Sequence, residues 1–251
     1  MYRSGNPALN DSTFEKGSYQ GVNWWDDYES NLMTIEGTAE KTGILLLITA
    51  TTALATAFSM PGSMPLMLLG AIGGLVVALM VIFSGSTNPM LICAYAALEG
   101  LFLGGITWLF EVGLEVPGIG MLAALLTFLL LGAMIAIYRA GLIHWDRNMA
   151  IAVYSALGAI MLIYLVSFIG AFVGFEVPLI HGSGPVGIAF SLFVIGIGAL
   201  CLVADFDFIE KGVERGAPKQ LEWRAAFGLM VTLVWLYLEI LKLLAKLAAR
   251  R

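Results

Sequence analysis

The stretch LVADFDFIEKG, residues 202–212, closes an apolar run long enough to cross a bilayer and sets two carboxylates, Asp205 and Asp207, at its end. On a helix, positions two apart project ~200° from each other, so the two cannot line one site. Asp207 lies four residues before Lys211, the spacing of an ordinary ion pair at the wet end of a helix. Asp205 is half a turn deeper on the other face, with Leu202 and Ile209 as helical neighbours, and looks inward. A carboxylate at that depth is costly unless something neutralises it, so Asp205 asks for a partner.

The rest of the chain supports the same setting. Of its 251 residues 59% are hydrophobic and 12% charged, more apolar surface than a soluble fold of this length could hide, so the solvent is lipid. Crossing ~30 Å of hydrocarbon at ~1.5 Å per residue takes about 20 apolar residues. Seven stretches qualify: 42–60, 65–84, 89–110, 118–138, 149–174, 186–208 and 225–247. Breaker-rich turns such as MPGSMP (60–65) and SGSTNP (84–89) separate them. The fold class is therefore an all-α integral membrane bundle of seven transmembrane helices. Gly70 with Gly74, Gly100 with Gly104 and Gly170 with Gly174 are small-xxx-small pairs that allow close helix approach.

Charge divides the chain into residues 1–40, an acidic N-terminal tail, and 41–251, the membrane domain. The tail has two bases and seven acids, and so carries the whole net charge of −5. Its Gly, Asn, Ser and acid content reads as flexible, and it offers nucleic acid no basic surface. It lacks the basic start and apolar core of a cleaved leader. Cys93 and Cys201 both sit in apolar runs and read as inert packing residues. Arg139 and Arg147 fall in the loop between spans four and five, and Lys211, Arg215, Lys219 and Arg224 in that between six and seven, whereas alternate loops carry only acids. The positive-inside rule then places the N-terminus in the cytoplasm. The basic end KLLAKLAARR runs against this rule, so span seven either crosses regardless or is re-entrant; crossing is the reading adopted.

Besides Asp205, two acids lie at membrane depth: Glu99 in YAALEGLFLGG and Glu239 in VWLYLEILKLL. Glu239 has two readings. It pairs locally with Lys242, three residues on, or it stands opposite Asp205. Two carboxyls a few ångströms apart cannot both ionise cheaply, so such a pair holds a shared proton and acts as a pH-sensitive latch. If the seventh helix starts at 225, Glu239 is ~21 Å further along it. The two acids then meet only if LEWRAAFG (221–228) is an interfacial extension. His144 and His181 are isolated, which argues against zinc. Carboxylate oxygens suit calcium, and Asp205 with Glu239 would make a weak site that passes an ion rather than storing it. Glu99 is a candidate third acid on that path, or else a protonated acid bonded to a neighbouring helix.

Taken together, ADFDFIEKG, TLVWLYLEILKLL, YAALEGLFLGG and SGNPALN near the start resemble the bacterial branch of the Bax inhibitor-1/YccA-like family, within the transmembrane Bax-inhibitor-motif superfamily. The resemblance covers essentially the whole chain. It implies a seven-helix fold whose last helix is wrapped by the other six, and a pH-sensitive calcium leak governed by one acid late in helix six and one in helix seven. Asp205 matches the first and Glu239 the second, where Asp is usual. Better-known members carry a base in helix two, but residues 65–84 contain none. Arg139, Arg147 or Lys242 would have to supply the counter-charge. The implied setting is the bacterial cytoplasmic (inner) membrane, with the lipid bilayer, calcium and protons as partners and no cofactor beyond the transported ion. The alternative is a non-conducting regulator that binds another membrane protein, such as a protease. No Ser–His pairing or paired aspartates of the GxGD kind are found, so an enzyme is not expected.

Overall fold

The computed structural model describes residues 31–59, 62–174, 180 and 182–250; residues 1–30 of the acidic tail, and His181, lie outside it. The described chain folds into seven helices: α1 Ile35–Ser59, α2 Met64–Ser84, α3 Pro89–Leu114, α4 Ile119–Arg139, α5 Arg147–Val173, α6 Pro185–Glu214 and α7 Leu221–Ala248. All seven are long and apolar enough to cross a membrane. The seven spans read from the sequence are these helices, with four edges displaced by four residues or more, the end of α3 at Leu114 rather than 110 among them. α1 starts at Ile35 rather than 42, inside the stretch assigned to the tail, because Thr34 caps it: the Thr34 hydroxyl accepts from Gly37 N at 2.9 Å. α6 runs on to Glu214, carried past the apolar run by the Asp207–Lys211 ion pair on its surface. α7 starts at Leu221, so LEWRAAFG forms its first two turns.

α7 is also the best buried. Within its apolar window 56% of residues are covered, against 39% at most in any other helix, as befits a helix enclosed by its neighbours. The outward faces of the others are apolar, with Phe58, Phe83, Met121 and Phe168 all exposed, which is what a lipid-facing surface requires.

The helices form two compact units. One comprises residues up to Leu109 together with Ala204–Val231; the other comprises Phe110–Val203 with Thr232–Arg251. In the first, α1 turns a buried stripe of Thr38, Thr42, Leu45, Thr49 and Thr56 inward. Thr38, Thr42, Thr49 and Thr56 each return the hydroxyl proton to the carbonyl four residues back, which removes the need for water. Thr49 also reaches the Ala96 carbonyl of α3 at 3.0 Å. This approach depends on glycine. A methyl on Gly100 would strike Thr52 and the Thr49 carbonyl, and one on Gly104 would strike Ala53 and Thr56. Gly70 of α2 meets the α3 backbone at Leu98 and Phe102 in the same way.

In the second unit, Ile119 and Ala123 of α4 pack on Ile240, Leu241 and Ala245 of α7, while Val153 and Ile160 of α5 pack on Val194 and Ile197 of α6. Glu111 at the end of α3 accepts from Gly118 N and Gly120 N, putting an acid on the positive end of α4.

Gly100→Leu is expected to lower the unfolding temperature in detergent, with overpacking of about 1–3 kcal/mol. Gly132→Leu, at a glycine with nothing within 4 Å of an added methyl, is expected to leave it nearly unchanged. Differential scanning fluorimetry on the two variants checks both.

Candidate functional site

A carboxylate buried in a membrane helix must collect its hydrogen bonds from side chains. In the second unit Glu239 does so. It is 2% exposed, and three groups converge on it. The Tyr164 hydroxyl of α5 lies 2.8 Å from Oε1 and 2.9 Å from Oε2, donating across the carboxylate. The Trp235 indole, one turn back on α7, donates to Oε1 at 3.1 Å. The Lys242 ammonium donates to Oε1 at 2.6 Å and to the Tyr164 oxygen at 3.2 Å, and rides over the Tyr164 ring at 4.6 Å from its centroid. Trp235, Glu239, Lys242 and Lys246 follow one another at steps of four, three and four, so they form one polar stripe along α7. Lys246 continues it toward α6, donating to the Gly187 carbonyl at 2.9 Å and to Ser191 Oγ at 2.8 Å.

Of the three bases considered as counter-charges, Lys242 is the one bonded to Glu239. Arg139 and Arg147 are exposed at the end of α4 and the start of α5.

The first unit holds the remaining acids. Asp205 is buried at 1% exposure on α6. Asp207 pairs with Lys211 at 2.5 Å, the i,i+4 bond that its spacing predicts. Glu99 is half-buried on α3, hydrogen-bonded by the Tyr95 hydroxyl one turn back and pressed against Gly74 of α2. The Tyr95 ring meets Phe227 of α7 edge-on, with centroids 4.8 Å apart. Asp205 belongs to the first unit and Glu239 to the second, and both are buried.

The best-buried acid among the described residues escaped the sequence reading. Glu222, in the first turn of α7, is 0% exposed. Its Oε1 accepts from Thr34 N at 2.9 Å and Thr34 Oγ1 at 3.0 Å, and its Oε2 takes the Lys41 ammonium of α1. Arg224, also buried, reaches Gly85, the left-handed residue (φ 68°) that ends α2. The signal in the sequence was Lys41 at the head of α1, in a stretch that also carries Glu36 and Glu40.

Among the described residues no group of three or more His, Cys, Asp or Glu side chains stands close enough together to hold a metal ion. Fully bonded by Tyr164, Trp235 and Lys242, the Glu239 carboxylate is arranged as a closed, charge-balanced site.

Seven apolar helices with acids buried inside them define a multi-pass membrane protein. The family model described as Bax inhibitor 1 like matches residues 6–249, and the chain belongs to that family. Neither the curated proteins nor the solved structures gave a match.

Lys242→Met strands a buried carboxylate and is expected to destabilise the protein, and adding Glu239→Gln is expected to recover part of the loss. A double-mutant cycle from chemical unfolding in micelles is expected to give a coupling of about 1–3 kcal/mol. Additive effects would mean that the pair contributes nothing to stability.

Proposed function

We propose that this protein is a pH-sensitive cation leak of the calcium class in the bacterial cytoplasmic membrane, with its N-terminus in the cytoplasm and Asp205 and Glu239 as the sensing groups. The observation that carries the reading is the burial of both acids, 1% and 2% exposed, in membrane-length helices where an unserved carboxylate would be prohibitively expensive. The distribution of loop bases supports the orientation. In this reading the present arrangement is the closed one.

The pH response centres on Glu239. The charged and titratable groups facing it within its unit are Lys242 and Tyr164, with Lys246 one turn further on. Opening breaks the Lys242 bond, and in this reading acidification is the condition that opens the path. A calcium ion passing through meets carboxylate oxygens few enough to bind it weakly. No catalytic role is assigned to any residue.

A second reading has an observation of its own. Because Glu239 is already satisfied by three protein donors, the stripe also serves as a purely structural brace in a non-conducting regulator that binds another membrane protein, such as a protease.

Calcium flux from proteoliposomes between pH 5 and 8 separates the two. Wild type is expected to leak faster at pH 5 than at pH 8, with Asp205→Asn and Glu239→Gln both flat across the range. A wild type that passes no calcium at any pH removes the leak reading and leaves the regulator.

A further inference from the structure

The four residues before α1 are bonded to the connection between α6 and α7 and to the first turn of α7. Leu32 and Pro218 face each other in a single antiparallel bridge, flanked by Met33 N donating to the Ala217 carbonyl at 2.7 Å and Lys219 N donating to the Asn31 carbonyl at 2.8 Å. Met33 is buried beneath this strap. The strap then delivers Thr34, whose N–H and hydroxyl both point at Glu222. Each polar group of Thr34 has its own task. The hydroxyl donates to Glu222 and accepts from Gly37 N, and the carbonyl accepts from the Thr38 amide and hydroxyl. Two turns along α1, Lys41 completes the shell of Glu222 and lies 5.7 Å from the Trp223 ring. Gly37 is the clearance that makes this possible, since any methyl there would collide with the Glu222 carboxylate.

The grip on the strap is one carboxylate with three donors plus two backbone bonds, over the buried Met33. A buried ion pair contributes little net stability compared with an apolar replacement, yet removing one partner is strongly destabilising locally. Such an arrangement is poorly suited to adding stability and well suited to holding one of two positions. Trp223 and Arg224, next to Glu222, carry the grip on to Lys41 and to the α2–α3 corner at Gly85.

We infer that the Asn31–Thr34 strap is a releasable clasp on the first turn of α7: seated, it locks Glu222 and holds that turn in place; lifted, it frees the turn and increases conduction. The effect on conduction rests on the leak reading, whereas the coupling of strap to α7 does not.

Hydrogen exchange on the full chain in nanodiscs tests the coupling. Gly37→Ala displaces Glu222 without removing any charge, and Glu222→Gln weakens the same shell. Both are expected to speed exchange about tenfold in 31–41 and in 217–226 together, leaving α4 and α5 unchanged; that corresponds to about 1.4 kcal/mol of local opening. Faster exchange in the strap alone, or everywhere at once, overturns the clasp. Conduction is tested by Leu32→Cys/Pro218→Cys in a Cys93→Ala/Cys201→Ala background. Strand residues flanked by bonds in this way are a close-approach pair, with Cα atoms about 4.5 Å apart, within disulfide reach. Oxidation is expected to cut calcium flux at least severalfold and reduction to restore it. Flux present but indifferent to oxidation overturns the control of conduction. No flux in any variant, with the exchange coupling intact, removes the leak reading and the conduction half of the inference but leaves the clasp standing.

Discussion

Hydrocarbon gives a charged side chain nothing to bond to, and that constraint shapes most of what is particular about this chain. In water an acid such as Glu239 would be solvated at no structural cost. Here it has to be met by groups that other helices bring to it, and the positions of those helices are fixed in consequence. Tyr164 ties α5 to α7 through Glu239, and Lys246 ties α6 to α7 through Gly187 and Ser191. Glu222 ties α1 to α7 through Thr34 and Lys41. Apolar contacts between helices in lipid carry little directional information, because lipid tails are as apolar as leucine. The polar contacts therefore specify register, and glycine and threonine surfaces such as Gly100 against Thr49 and Thr52 provide the closeness.

What was legible in the sequence followed from local rules. Seven apolar runs become seven helices because the hydrocarbon thickness sets a length that composition alone can satisfy. Asp207 and Lys211 pair because four residues bring them to one face. Glu239 with Lys242 is the same kind of inference at a spacing of three, and it was legible as one of two options. Trp235 and Tyr164 were not. The first lies four residues before Glu239 and could have been read as a donor; the second lies 75 residues away on another helix, where no pattern along the chain points to it.

Glu222 shows the limit most clearly. LEWRAAFG holds Glu222 and Arg224 within four residues, and no local rule names a partner for either. The structure buries both, since Glu222 meets partners 181 and 188 residues away and Arg224 meets Gly85. Distant partners of the same kind accompany the start of α1 ahead of its apolar run. Thr34, Gly37 and Lys41 look like the end of a polar tail until the carboxylate they serve is placed among them. Partnership between distant residues, not composition, decides whether a charged stretch at a helix end is wet.

α7 brings these points together. It carries Glu222, Arg224, Glu239, Lys242 and Lys246 within 28 residues, and it is also the best buried of the seven helices. In a soluble protein that combination would be contradictory; in lipid the one fact causes the other. A helix with so many charges cannot face hydrocarbon unserved, so in each unit neighbouring helices bring donors to it: Thr34 and Lys41 in the first, Tyr164 in the second. Any activity that needs a hydrated carboxylate on α7 must first take apart one of these bonded groups, and each is held by a different set of helices. Glu222 depends on α1 and the strap before it, while Glu239 depends on α5 and on Lys242 of its own helix. The charges of α7 are therefore met separately in the two units, by bonds that do not share a partner helix.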